Sequence, residues 1–414
     1  MNCPSTEGNV TLNFPDVVLE PAFAYMTNGS VTVASTGQAH LKLGSADFRT
    51  GAATLGVNAG SAGAMLIDSR SVWTGTGVQT IGASGSGQFD ILASFVTLDP
   101  PVGPDVNVRL QGEVTTSAAV MGQSAGGHGE ANVYGLWNTG DFTVGDAGTA
   151  EVNILHQNFS PNFSGKDTAG ALTSGTVSVA AQVGSMGTVR VTGRTEEVRA
   201  RWDVAGSLTL GGTSGSSGGT GQLEVGELNT VQVGSGMKIW PGGILSVTTN
   251  SFLTVSGPAS IAGTLEFIAP SEFNPSLNDE LTILSAAGGV SGGFESTILP
   301  SLSGGRVWSV LYNPTNVRVK VVSAPSFSDD FDEDGDVDGD DLARWRNNFG
   351  IGATHMQGDA DGDLDVDGSD FLTWQRQLGS PAALPSVTAV PEPAALALVS
   401  LAGFACALLR KRRQ

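Results

Sequence analysis

Cysteine is almost missing from this chain: Cys3 and Cys406 stand near opposite ends of 414 residues, so no disulfide framework staples it. Basic residues are scarce as well, 20 Lys and Arg against 40 Asp and Glu, for a net charge of −20. Nothing gathers those few cations into a face that would release phosphate counterions, which excludes a nucleic-acid partner. The four histidines, His40, His128, His156 and His355, are too scattered for a zinc site. Gly165-Lys166 lacks both the following Ser or Thr and the preceding glycine of a phosphate-binding loop. Gly122-Gln123-Ser124-Ala125-Gly126 matches the serine-hydrolase pattern, but that elbow needs a strand, a sharp turn and then a helix. The stretch instead belongs to a repeat whose first copy has Asn58 where Ser124 stands, and chance explains the match.

What is abundant is glycine, 58 residues, together with Ser, Thr and Val. From Asn9 to about Ala269 short β-prone runs such as Ser30-Val31-Thr32-Val33 and Ser207-Leu208-Thr209-Leu210 alternate with turn residues. Three segments align, ending at Gly56, Gly122 and Gly184, and a tryptophan follows each: Trp73, Trp137 and Trp202, 64 and 65 positions apart. A period near 64 suits about three coils of roughly twenty residues. Strands so closely spaced leave no room for helical crossovers, which favours an all-β solenoid over a β-sandwich array, the alternative. The pattern resembles the right-handed parallel β-helix of autotransporter-type passengers. A repeated Trp reads as a core or corner residue before it reads as a sugar-stacking platform. Gly211 to Gly221 reads as an extruded loop. After Pro270, the strands expected at Glu280–Leu284, Arg306–Tyr312 and Asn316–Val322 would cap the stack.

Acidity is concentrated: fifteen of the forty acidic residues lie between Asp329 and Asp370. Counted from Asp330 as a twelve-residue loop, Asp330, Asp332, Asp334, Asp338 and Asp341 fall at positions 1, 3, 5, 9 and 12. A second loop repeats them as Asp359, Asp361, Asp363, Asp367 and Asp370. Ca²⁺ takes six to eight oxygens, and a tight loop delivers them when alternate residues point inward. Position 7, Asp336 and Asp365, would contribute its backbone carbonyl, leaving those side chains to solvent. Position 6 is Gly335 in the first loop but Leu364 in the second, where the turn prefers a residue tolerant of positive φ, so the second of two Ca²⁺ sites is expected to be weaker. Leu342, Trp345, Phe349 and Gly350 follow the first loop, and Phe371, Trp374, Leu378 and Gly379 follow the second at identical offsets. Each set predicts a short helix with one packed face and a glycine stop. Paired loop-helix units with Asp at position 12 and no preceding helix resemble a dockerin type I domain. The resemblance implies two bound Ca²⁺ ions and a cohesin-like partner, although positions 10 and 11, Gly339-Asp340 and Gly368-Ser369, depart from the Ser/Thr-type pair common among cohesin binders.

The last residues form another module: Pro391-Glu392-Pro393, an apolar run from Ala394 to Leu409, then Arg410, Lys411, Arg412 and Arg413. The run is slightly short of the ~20 residues usual for a bilayer span, a deficit that snorkelling arginines can cover. Triplet, span and basic cluster resemble the PEP-CTERM sorting signal. That resemblance implies a transmembrane helix in the inner membrane, an exosortase-type processing partner and export of everything upstream. Met1 to Gly8 has neither a basic start nor an apolar core, which points to a truncated or misplaced start.

The expected organisation is a Gly-rich repeat solenoid over 1–269, a β cap over 270–323, paired calcium loops over 324–379, a Pro/Ala linker over 380–389 and the sorting signal over 390–414. The expected fold class is therefore mainly β, a right-handed parallel β-helix with a small α calcium-binding dockerin-like module and a C-terminal transmembrane helix. The expected function is an exported, non-catalytic surface or matrix protein. A β-helix acting on extracellular polysaccharide is the enzyme alternative. It requires at least two carboxylates within about 10 Å in one groove, and Asp68, Asp90, Asp99, Asp105, Asp141 and Asp146 are spread singly.

Overall fold

A computed structural model of the protein describes residues 10–13, 17–19, 24–26, 29–98, 106–157, 168–192, 199–270, 272–303, 306–323, 328–332 and 334–379. The chain divides into two compact units between Val322 and Ser323. Pro391, Glu392, Pro393, the run after them and the Arg410 to Arg413 cluster lie outside the described residues, as do Met1 to Gly8, Asp99 and Asp105. No helix among the described residues is long and apolar enough to cross a membrane.

The first unit is mainly β, and its sheets are built from parallel strands. An eleven-stranded sheet takes strands in chain order from Val17–Leu19 to Ser296–Ile298, each in register with the next. A twenty-stranded sheet covers two further faces. Val72–Ile81 runs through both of these, pairing with Asp47–Thr50 over its first half and with Ala53–Leu55 over its second. Each rung thus carries three runs of strand separated by corners, and the following rung lies parallel beside it.

The alternation that makes these strands is local. Gln38–Leu43 reads exposed and buried by turns, placing Ala39, Leu41 and Leu43 inside, because successive side chains of a strand point to opposite faces. Exact register then stacks like positions. Phe48, Trp73, Val114, Trp137, Leu172 and Trp202 form one inward column. Tryptophan occupies alternate rungs, and Phe89 reaches between two of them, edge-on at 5.5 Å from Trp73 and 5.2 Å from Trp137. Such aromatic pairs add about 0.5–1.5 kcal/mol each beyond the area they bury. Each indole N–H finds a hydroxyl on the rung before: Trp73 donates to Thr50 at 3.1 Å, Trp137 to Thr116 at 3.2 Å and Trp202 to Ser174 at 2.9 Å. All three are at most 2% exposed, so they are core residues and offer no sugar-stacking platform.

The 64-residue repeat therefore corrects to two rungs, not three coils. An uninterrupted rung has the expected length of roughly twenty, since Ile244 pairs with Thr264, His128 with Thr149 and Gln38 with Ala62. Two rungs also carry inserted hairpins, Ala93–Leu98 antiparallel to Val106–Gln111 and His156–Gln157 antiparallel to Thr168–Ala169. The glycine alignment is corrected as well. One corner places Gly56, Gly82, Gly122, Gly145 and Ala180 in left-handed conformation, φ 57° to 74°. Their N–H groups donate to the preceding rung, Gly122 to Ile81 O and Ala180 to Val144 O. Gly184 lies four residues past Ala180 in an open turn.

The parallel stack continues past residue 269, where the sequence suggests a boundary: Val290–Gly292 and Ser296–Ile298 still pair with the rung before them. Closure comes from Asn316–Ser323, antiparallel to Glu280–Ala286. Trp308 then packs edge-on to Phe267 at 5.2 Å and stacks on Phe273 at 6.3 Å, covering apolar surface that a last rung would expose.

The corner row has a testable consequence at Gly122, where an added Cβ would lie 2.3 Å from Thr149 O. Gly122→Ala combines that clash with the cost of a left-handed L-residue, so a loss of about 2 kcal/mol or more is expected in thermal unfolding followed by circular dichroism.

Candidate metal centre

The second unit is built on two copies of one design. Helix α1 spans Gly339–Asn348 and helix α2 spans Gly368–Gln377, and each begins inside its acidic loop. Asp338 caps α1 by accepting from Asp340 N–H at 2.7 Å, and Asp341 accepts back from Asp338 N–H at 2.8 Å. Asp367 and Asp370 do the same for α2 with Ser369 N–H and Asp367 N–H. These are capping boxes, with Asp in the role usual for Glu. The expected glycine stops are present, with φ 74° at Gly350 and 77° at Gly379.

The packed face differs from expectation at its last position. Phe349 and Leu378 are the C-caps and are about half exposed. The core is instead Phe331, Val337, Val366 and Trp374, with Leu342, Trp345, Ala360 and Phe371 packed against it. A helix of ten residues ends before its i+7 side chain can turn inward, so loop positions 2 and 8 fill the space.

Around this core the loops wrap their carboxylates. Asp330 accepts from Asp334 N–H at 3.1 Å and Gly335 N–H at 3.0 Å, and Asp359 from Gly362 N–H at 2.7 Å and Leu364 N–H at 3.1 Å. At position 12, Asp341 accepts from Phe331 N–H at 2.7 Å and Asp370 from Ala360 N–H at 2.7 Å, which joins each loop's start to its end. Four triads bring carboxylate oxygens within 4.8 Å of one another: Asp330, Asp332 and Asp334; Asp336, Asp338 and Asp341; Asp359, Asp361 and Asp370; Asp365, Asp367 and Asp370. Clusters so spaced can hold a metal ion. Among the twelve expected ligands only Asp363 joins no triad. Position 7 is a correction in the first loop only: Asp336 lies near positions 9 and 12 with Oδ1 occluded and without a hydrogen-bond partner, whereas Asp365 lies near positions 9 and 12 but stays exposed, as expected.

Electrostatics favours a cation here. Burial first, then the charges of Asp341 and Asp334, hold the Asp330 carboxyl above the usual carboxylate range. Asp332 and Asp361 are raised by burial and by neighbouring carboxylates, and Asp365 most of all by Asp363. A divalent ion offsets both causes, since its charge compensates the carboxylates around it. The residue that sequence reasoning missed is Asp329. It is fully buried, accepts from Ser328 Oγ at 3.0 Å and leaves its other oxygen unpaired. Burial, with Asp370 and Asp341 nearby, pushes its carboxyl up to about 6. Only the folded chain reveals this, because Gly358 stands at the matching place before the second loop.

A second polar surface was also hidden from sequence. On the eleven-stranded face Asp90, Asn132 and Asn153 occupy one outward column. Asn132 Nδ2 donates to Asp90 at 2.9 Å and to Glu130 at 3.0 Å, so those carboxylates lie well inside the ~10 Å window for paired acids. Asn153 donates to Asn132 at 3.1 Å and to Glu151 at 2.9 Å, and Arg190 bridges Glu151 and Glu224. Burial raises the Asp90 carboxyl, and Glu130 adds to it. Of the acids expected to be spread singly, Asp90 is thus joined to Glu130, while Asp68, Asp141 and Asp146 keep separate partners in Ser69, Thr176 and Gln182. Ser124 has no helix after it; the chain continues into the strand His128–Val133, and Ser124 Oγ accepts from Ser84 Oγ at 3.2 Å.

Asp329 carries a sign for pH. An acid raised on folding stabilises the fold below its unfolded value near 3.8, and that advantage disappears as pH climbs through about 6. Chelator-treated protein should therefore lose stability in the second unit between about pH 4 and 6, and Asp329→Asn should restore roughly 1–2 kcal/mol at pH 7 in denaturant unfolding. Leu364 takes φ 75° and is 72% exposed, so its side chain contributes strain and little packing. Leu364→Gly should stabilise the second loop by about 1 kcal/mol, read as tighter metal binding there by calorimetry.

No protein-family model matches the chain, and no curated protein matches it.

Proposed function

We propose that the protein is an exported, non-catalytic surface or matrix component whose C-terminal unit is a dockerin-like module ordered by two Ca²⁺ ions. In this reading the first unit is a right-handed parallel β-helix that serves as a displayed scaffold. The observation that carries it is the pair of acidic loops, each closed on itself by its position 12 aspartate and each opening directly into a helix. Only oxygen donors line them, which suits a hard cation and not zinc or copper.

Without the ion, carboxylates pressed together raise one another's proton affinity and oppose closure. With it, Asp330, Asp332, Asp334, Asp338 and Asp341 in the first loop, and Asp359, Asp361, Asp367 and Asp370 in the second, would hold Ca²⁺. The carboxylates of Asp336 and Asp365 stand beside them. A site whose dissociation constant lies 100-fold below ambient Ca²⁺ adds about 2.7 kcal/mol of stability. That suffices to order a core of so few side chains.

The export route rests on sequence: Pro391-Glu392-Pro393, the apolar run and Arg410 to Arg413 would direct the chain to the inner membrane and an exosortase-type enzyme. A cohesin-like partner would meet the module around Gly339, Asp340, Gly368 and Ser369.

A second reading is favoured by Asp90 and Glu130, held by one amide on the eleven-stranded face. There the β-helix binds or cleaves extracellular polysaccharide, with that pair as the acidic groups. Asp90→Asn with Glu130→Gln would then abolish glycan retention or cleavage while leaving the strand signal in circular dichroism unchanged. The scaffold reading expects no activity to be lost.

For the principal reading, far-ultraviolet circular dichroism of the full chain should gain helical signal on adding CaCl₂ to chelator-treated protein, and lose it again on chelation. Absence of any change at millimolar Ca²⁺ would remove the calcium module from the proposal.

A further inference from the structure

The two loops do not stand on their own helices alone. Trp345 of α1 donates its indole N–H across the unit to the backbone carbonyl of Asp367 at 2.9 Å, and Trp374 of α2 donates to the carbonyl of Asp338 at 3.0 Å. Both acceptors are position 9 of the opposite loop. One residue earlier the exchange is repeated by backbone: Gly350 N–H donates to Val366 O at 2.8 Å, and Gly379 N–H to Val337 O at 2.9 Å. Both of these acceptors are position 8. Each loop is therefore braced twice by the chain that follows the other loop.

We infer that the two cation sites are coupled, and that they fill with positive cooperativity through these reciprocal braces. This inference rests on the calcium reading above. A cation in the first loop engages Asp341, which is at once position 12 of that loop and the third residue of α1. Fixing Asp341 fixes the first turn of a ten-residue helix, too short to persist by itself in water. Once formed, α1 presents Trp345 and Gly350 to the second loop and immobilises positions 8 and 9, next to the position 7 backbone carbonyl. The second cation then meets a loop already partly ordered, and the entropy of ordering has been met by the first. Asp370 and α2 run the same sequence in reverse, so each ion raises the affinity of the other by one common factor.

The core gives the coupling a shared stake. Val337 of the first loop and Val366 of the second are both completely buried, and Trp374 packs in the cluster that Phe331 and Val337 begin. Neither loop can close without completing apolar contacts for its neighbour. Leu364, strained at φ 75°, marks the second loop as the one that gains most when its neighbour closes first.

Calorimetric titration of the full chain with CaCl₂ tests this with two single-loop variants that delete the position 1 carboxylate, Asp330→Ala and Asp359→Ala, and two brace variants, Trp345→Phe and Trp374→Phe. The phenylalanines keep an aromatic ring in the core and remove the N–H together with part of the indole. Two ions should bind the native chain with a Hill coefficient above 1. Each single-loop variant should bind its remaining ion at least about tenfold more weakly than the native average, and each brace variant should keep two ions while the affinities fall about fivefold and the Hill coefficient moves toward 1. Two ions bound independently, with the remaining site unchanged when the other is disabled, would overturn the coupling and leave the calcium reading intact. Brace variants that titrate like the native chain would overturn the role of the indoles. No heat in any variant would bring down the calcium reading and the coupling together.

Discussion

Register governs this protein. In a parallel stack every side chain faces its counterpart on the neighbouring strand about 4.8 Å away, so whatever one rung places at a position must suit the rungs on both sides. Large residues cannot simply recur. The tryptophan column answers this by alternation, with Val114 and Leu172 between Trp73, Trp137 and Trp202, and with Phe89 filling room that a run of aliphatics would leave. Polar atoms are treated the same way, since each buried indole N–H is met by a hydroxyl one rung earlier and is not left unpaired.

The same rule applied to charge has the opposite effect. Like charges brought into register repel, and the eleven-stranded face supplies its acids with side-chain donors: Glu130 and Glu151 stand in register, but Asn132 donates to Asp90 and Glu130, Asn153 to Glu151, and Arg190 ties Glu151 to Glu224. The acidic loops contain no such spacers. Their aspartates are compensated by backbone N–H groups alone, from Asp334 and Gly335 in one loop and Gly362 and Leu364 in the other. The first unit thus meets its clustered carboxylates with side-chain donors, and the second gathers more of them than its own donors can satisfy. That contrast supports the proposal of a cation in the second unit.

Symmetry within the second unit follows from duplication in sequence, and its departures are informative. Gly335 becomes Leu364, at a position where both loops require positive φ. Asp329 becomes Gly358, and only the first copy inserts a carboxyl under the pair of loops, close enough to sense Asp341 and Asp370. The two halves are alike where they brace each other and unlike where each is tuned.

Sequence by itself determined the strand-and-turn character of the first unit, the twelve-residue spacing of the acids, the short helix following each loop and the glycine stops, because each depends on neighbours a few positions apart. Tertiary structure alone decided how many rungs make one repeat, since the inserted hairpin beginning at Ala93 lengthens the spacing without changing the register. It decided that Phe349 and Leu378 face outward, that Asn132 draws Asp90 toward Glu130, that Asp329 is buried and that Trp345 and Trp374 reach across to Asp367 and Asp338. The hydrogen bonds among these join positions 22 to 42 residues apart, and no periodicity along the chain encodes which side chains a folded backbone will bring within hydrogen-bonding reach.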